Sequence, residues 1–250
     1  MNNCLKITFD SRKTALAIQV NQPAELPNAL QEIGLSDSRP VLVVVGGASN
    51  ISETDFLRIQ RLFVEVLAPI AETLGAYVVD GGTDVGVMRL IGTARSQIGA
   101  KFALVGVTPT GKVALPNKLQ TDADLTPLEP NHTHFVLIPG SNWGDESPWI
   151  SNVATVLAGN TPSVTVLLNG GEITFQDAFC SVNTGRLVVV IGGSGRTADI
   201  LASALAGNPT DDRAQELVKS GKFQCINLID IERRVDDLGE IIKGLLATKE

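Results

Sequence analysis

The sequence predicts an α/β fold: a mostly parallel sheet with helices on both faces, plus an N-terminal β-hairpin. Three observations lead there. Seven short apolar runs recur along the chain, at 41–45, 76–79, 102–107, 135–138, 164–168, 187–191 and 225–229. Runs that are apolar throughout, rather than at every second position, suit strands buried on both faces. Stretches with a helical spacing of apolar residues lie between them, and this alternation implies βαβ units with right-handed crossovers. Finally, four of the runs lead into glycine pairs: Gly46-Gly47, Gly81-Gly82, Gly170-Gly171 and Gly192-Gly193.

Taken in order, residues 5–9 and 15–20 are β-like and joined by the polar stretch DSRKT, which predicts a hairpin. Residues 21–39 carry Pro23, Pro27 and Gly34 and read as a connector with at most one helical turn. After the strand at 41–45, Ser52 and Asp55 mark a capped helix start. Phe56, Ile59, Phe63, Val66, Leu67, Ile70 and Leu74 continue it, and Gly75 ends it. Pro69 falls inside and is expected to kink or divide the helix. Further helices are expected at 85–99, 148–158, 172–182, 196–206, 211–220 and 232–246. Residues 108–131 read as a long loop of the kind that covers binding sites.

Composition bounds the rest. The chain has 250 residues, 44% apolar and 19% charged, which suits one sizeable core. A single domain over 1–250 is expected, with hairpin and connector at 1–39 and the core at 40–250. The net charge of −7 gives no general attraction for a nucleic-acid backbone. Cys4, Cys180 and Cys225 form no CxxC and are odd in number, which fits a reducing cytoplasm rather than a disulfide framework. The first residues lack the features of a signal peptide, and no apolar run approaches the roughly 20 residues that span a bilayer. Neither a membrane nor nucleic acid is therefore an expected partner.

The glycine pairs place the chemistry. In a parallel sheet the strand ends point one way, and ligands bind just outside the carboxyl ends. Glycine lets the backbone approach a ligand, and the following helix N-terminus favours phosphate. Gly192, Gly193, Ser194, Gly195, Arg196 and Thr197 form the strongest such segment. Its hydroxyls can donate, and Arg196 can fork onto a phosphate. The bland alternative leaves Arg196 in solvent and Asp199 complementing the helix dipole. Asp80 and Asp84, around Gly81, Gly82 and Thr83, either accept ribose hydroxyls or cap a helix. Around Trp143, Asp145, Glu146 and Trp149, acidic residues precede a helix start. They either complement its dipole or hold a ribose, with Trp143 or Trp149 against a base.

Several chemistries are disfavoured. Residues 106–113 nearly spell a Walker A loop, but Val113 replaces the magnesium-ligating hydroxyl and Pro116 follows, leaving Lys112 at most a ligand contact. His132 and His134, two apart at a strand start, have no cysteine cluster nearby, so no metal site is expected. No nucleophile or zinc-protease motif occurs, and no cofactor is expected.

Six motifs in order resemble the SLOG superfamily, the Rossmann-like group that includes the DprA/Smf and LOG proteins. They are VVVGGAS (43–49), DGGTDVGVM (80–88), LVGVTPTG (104–111), EPNHTHFVLIPG (129–140), VLLNGGEIT (166–174) and VVVIGGSGRTADIL (188–201). The match is to its prokaryotic LSDAT branch, related to the cytoplasmic N-terminal region of melastatin-type TRP channels. The resemblance implies a Rossmann-like fold, pairing of copies through helices, and recognition of nucleotide-derived ligands such as ADP-ribose or its cyclic forms. It implies a ligand-contacting role for Arg196, with Gly46, Gly47 and Ala48 as the first loop of the pocket. With Ser49, Asn50, Gly86 and Val87 from the adjoining loops, these residues make the expected binding set. The alternative is a LOG-type nucleoside-monophosphate phosphoribohydrolase with Asp199 as its carboxylate. The enzymes' PGGxGTxxE pattern is altered here at Ile191, Arg196 and Asp199, which argues for a ligand sensor over an enzyme. A homodimer or higher homo-oligomer is the expected assembly.

Overall fold

The computed structural model describes residues 4–116, 124–231 and 235–247. The chain opens with β1 (Cys4–Thr8) and β2 (Thr14–Gln19), an antiparallel hairpin, followed by a short 3-10 turn and α1 (Leu26–Glu32). Next come β3 (Val41–Gly46), α2 (Glu53–Arg61), a π-helical stretch over Leu62–Leu67, α3 (Ala68–Thr73), β4 (Tyr77–Asp80) and α4 (Gly86–Gln97). β5 (Leu104–Pro109), the two-residue strands β6 (Val113–Ala114) and β7 (Thr126–Pro127), and β8 (His134–Ile138) lead to α5 (Ser147–Ala158). The remainder alternates: β9 (Ser163–Leu168), α6 (Glu172–Asn183), β10 (Leu187–Gly192), α7 (Arg196–Leu205), α8 (Asp212–Val218), β11 (Phe223–Asn227), α9 (Leu228–Ile231) and α10 (Val235–Leu246).

Nine strands form one sheet in the order β1-β2-β8-β5-β4-β3-β9-β10-β11. Among its described pairings only β1–β2 is antiparallel, and the hairpin joins the edge through parallel β2–β8. The chain steps from β3 through β4 and β5 to β8 in one direction, then returns to lay β9 on the other side of β3, with Gly46 opposite Leu168. Crossovers of one hand, travelled in opposite directions, put their helices on opposite faces. Accordingly α2, α3, α4 and α10 cover one face and α1, α5, α6, α7 and α8 the other. β3 serves both: Leu42 and Val44 point into the first core, Val41, Val43 and Val45 into the second. A third, smaller cluster under the hairpin joins Ile7, Phe9, Ala15 and Ala17 to Phe135 and Leu137.

Two expectations are corrected and a third is refined. The 21–39 connector holds a seven-residue helix, α1, because Pro27 sits in its first turn, where a missing N–H costs nothing, and Leu26, Ala29 and Leu30 bury a helical stripe. The long loop is interrupted by the β6–β7 pair, while 117–123 lie outside the described residues. The helix over 53–73 is divided as expected, but ahead of Pro69 and not at it: the six residues up to Leu67 widen into a π-helix between α2 and α3. Proline has no N–H to give and its ring crowds the carbonyl four residues back, and a wider turn relieves both.

Among the described residues no helix is long and apolar enough to cross a membrane.

Candidate functional site

The chain reverses direction between β3 and β9. The loops leaving those two neighbouring strands go to opposite faces, which opens a crevice at their carboxyl ends. A cavity of about 400 Å³ lies there, within the range of small-molecule sites. Gly46 and Gly47 from β3 form one wall, and Gly170, Gly171 and the first turns of α6 form another. Gly81, Thr83, Val85 and Met88 come from the β4–α4 junction, Trp143, Glu146 and Ile150 from the start of α5, and Arg196 from α7. Glycine is required at Gly46, where a Cβ would come 1.8 Å from the Leu168 carbonyl oxygen.

Backbone strain collects at this rim. Four non-glycine residues among those described have left-handed φ, and three of them, Asn50 (55°), Asn169 (48°) and Arg196 (52°), lie in the loops after β3, β9 and β10. Each such position costs on the order of 1–3 kcal/mol and persists only where its surroundings hold it. Asn169 supplies much of that hold. Its buried Nδ2 donates to the carbonyls of Ser194 (2.7 Å) and Ser49 (3.2 Å), and its N–H donates to Ser194 Oγ (2.8 Å). One side chain thereby ties three loops together. Thr197 Oγ1 adds a bond to the Gly171 carbonyl (2.9 Å). Arg196, at the first position of α7, lays its guanidinium against Gly171, where a Cβ would come 2.7 Å from Nη2. Its Nη1 donates to Ser49 Oγ (2.8 Å).

Where α6 meets the start of α5 the lining is acidic. Glu146 and Asp177 are both buried. Glu146 Oε2 accepts the Gly144 N–H (2.8 Å), and burial raises its pKa. Asp177 Oδ1 accepts the Ser147 hydroxyl (2.5 Å). Burial pushes the Asp177 carboxyl up to about 7; the Ser147 bond opposes this and the neighbouring Glu146 adds to it. The lining thus combines the Arg196 cation with two buried, protonatable carboxyl groups, Glu146 and Asp177, while a third carboxylate, the exposed Glu172, is paired with Arg213.

A second polar cluster supports the floor. His132 is fully buried, with Nε2 donating to Asp80 Oδ1 and Nδ1 to Glu129 Oε2, both at 2.8 Å. Burial alone would lower its pKa, but the two carboxylates outweigh this and raise it to about 9. Asp80 Oδ1 also accepts the Gly82 N–H (2.7 Å), so the cluster fixes the glycine turn that borders the cavity.

Of the residues expected from the sequence, Gly46, Gly47, Gly81, Thr83, Glu146 and Arg196 line the cavity. The others stand behind it. Ser49 meets it through Arg196, while Ala48 and Asn50 continue that loop. Gly82 packs under β5, where a Cβ would lie 2.8 Å from Gly106 Cα. Gly86 and Val87 begin α4, and Val87 is core. Gly192 ends β10; Ser194 turns its hydroxyl inward to the Ile191 carbonyl; Gly195 caps α7. Asp199, the carboxylate of the enzymatic alternative, is exposed outside the lining and accepts the Gly193 N–H (2.6 Å). Asp80 and Asp84 are likewise engaged elsewhere, Asp84 by Arg89 at 2.7 Å. Trp149 is core, which leaves Trp143, 38% exposed, as the aromatic at the cavity. Lys112 is not in the lining, and His134 does not join His132; burial drives its pKa down to about 4.

The expected binding set left out Asn169, Gly170, Gly171 and Asp177, although the Gly170-Gly171 pair had already marked its strand end. For Asp177 a signal existed: it falls beside Thr174, Ala178 and Ser181 on the buried stripe of α6, where an unpaired carboxylate is unusual.

Comparison with known proteins identifies the family. The family model described as "SLOG in TRPM, prokaryote" matches residues 39–236. The chain is similar to transient receptor potential cation channel subfamily M member 2 of Mus musculus, 27% identical over 231 residues, covering 77% of this chain and 15% of that protein. A transient receptor potential channel of Caenorhabditis elegans is 28% identical over 222 residues, covering 76% of this chain and 11% of its own length. Subfamily M member 6 of Homo sapiens is 26% identical over 205 residues, covering 69% and 10%. The chain therefore spans about a seventh or less of the relatives it matches.

Proposed function

Since the chain belongs to the family of prokaryotic SLOG proteins related to these channels, we propose that its switch-point cavity binds and senses a nucleotide-derived, diphosphate-bridged ligand of the ADP-ribose type. The observation that carries the reading is Arg196. A non-glycine residue is held at φ 52° at the start of a helix, with its guanidinium over Gly171 at the cavity rim. Such a fork suits paired phosphate oxygens, and the first turn of α7 adds the positive end of a helix dipole. Gly46, Gly47 and Gly81 give the rest of the ligand a close approach to backbone. The site extends from α7 past β3 to α5, which favours a ligand longer than a mononucleotide.

The phosphoribohydrolase alternative loses support from Asp199, whose carboxylate is occupied by the Gly193 amide outside the cavity. Native mass spectrometry of freshly purified protein tests the binding reading. An adduct with the mass of an adenine nucleotide diphosphate, lost in Arg196→Ala, is the expected result. An Arg196-independent adduct, or one lacking phosphate, contradicts it.

A further inference from the structure

Both Glu146 and Asp177 are more than nine-tenths buried, and both line the cavity that Arg196 borders. Asp177 spends Oδ1 on the Ser147 hydroxyl, and Oδ2 takes no hydrogen bond from any described residue. A carboxyl group of this kind is costly to bury unless a partner arrives. Two such groups also repel any phosphate placed beside them. A hydroxyl pair is what they can satisfy: each carboxylate accepts one O–H, and a protonated Asp177 can donate in return. Trp143 stands at the same end of the cavity with its ring partly free.

Resting on the reading above, we infer that Glu146 and Asp177 form a subsite for the unphosphorylated 2′,3′-diol of the nucleoside ribose, with the base against Trp143 and the diphosphate toward Arg196. Arg196 opens α7, whereas the carboxyl pair sits where α6 meets the start of α5, so a nucleotide with its diphosphate at Arg196 turns its ribose and base toward the carboxyl pair and the Trp143 loop. The subsite makes the protein selective for nucleotides whose nucleoside ribose is free. It rejects the same molecules phosphorylated at the 2′ position, because a phosphate there meets two carboxyl groups and no cation. It also penalises a 2′-deoxy ligand, which leaves a buried acceptor unpaired.

The test is calorimetry with three ligands: ADP-ribose, its analogue lacking the adenosine 2′-hydroxyl, and its adenosine 2′-phosphate. Wild-type protein is expected to lose roughly tenfold in affinity with the deoxy ligand and at least about a hundredfold with the 2′-phosphate. Glu146→Gln and Asp177→Asn keep the shape of the wall, and together they should shrink the penalty on the 2′-phosphate. Changing the ligand keeps the test sound even if a variant folds poorly. Equal affinity for all three ligands, with binding still dependent on Arg196, overturns this subsite and leaves the cavity reading standing. Failure of ADP-ribose to bind at all removes both.

Discussion

His132 is the residue on which the floor of the site depends most. Two carboxylates accept from its two ring nitrogens in full burial, an arrangement that only the imidazolium satisfies. Its pKa is raised from 6.5 to about 9. A cationic group whose folded pKa is raised contributes stability that is complete below the unfolded value and vanishes as pH climbs through the folded one. The contribution is therefore whole below about pH 6.5 and lost through pH 9. His132→Asn leaves Asp80 and Glu129 buried without a countercharge and should cost about 3–5 kcal/mol near pH 6. Urea unfolding of both proteins at pH 6, 8 and 9.5 checks this: the gap between them should narrow as pH rises. A gap independent of pH would mean that the imidazole is neutral in the fold. Arg196 and Gly46 were legible because residue type, position after a strand and motif agreed; Glu146 was legible only as an acidic residue before a helix start. Asn169 was not, because its role lies in contacts with the Ser49 and Ser194 loops, and Asp177 was signalled only as a carboxylate on a buried helical stripe, its partner Ser147 being distant in sequence.

At the scale of elements, α4 shows how the polar cluster constrains a helix. Gly92 lies in its middle, where alanine is ordinarily better by about 1 kcal/mol. Here a Cβ would come 2.2 Å from Glu129 Oε2, and Glu129 is anchored by His132 and by the Asn131 N–H (2.8 Å). Gly92→Ala is accordingly expected to destabilise by about 1–3 kcal/mol, the cost of overpacking. Chemical denaturation measures it, and a stabilised variant would show that Glu129 moves freely. The strands and the longer helices were legible because fully buried strands are apolar throughout and the helices keep a sustained 3.6-residue spacing. α1 was hidden because its prolines read as connector residues, and two-residue strands such as β6 and β7 leave no periodic trace. Pro69 signalled an irregularity, but the chain absorbs it in the turns before the proline.

For the whole molecule, what the sequence left open was strand order. Apolar runs name the strands, yet their neighbours follow from packing, so the reversal between β3 and β9 became visible only in the assembled sheet. That reversal makes Gly170 and Gly171 a wall of the cavity and sets the loop after β10 at its rim. The homo-oligomer expected from apolar content and family resemblance is a separate matter of surface. Light scattering across micromolar concentrations should give at least twice the chain mass of 26.4 kDa; a constant monomer mass removes that expectation.

The central claim is that Arg196 holds the phosphates of a nucleotide-derived ligand at the switch point. Isothermal calorimetry with ADP-ribose, on wild-type protein, Arg196→Ala and Arg196→Lys, tests it most directly. Losing a charge-assisted, forked contact should weaken binding by roughly 1.5–3 kcal/mol, about ten- to a hundredfold, in the alanine variant. Lysine should restore only part of this, because an ammonium cannot fork onto two oxygens. Affinity no better than millimolar in the wild type, or affinity unchanged by Arg196→Ala, would contradict the account.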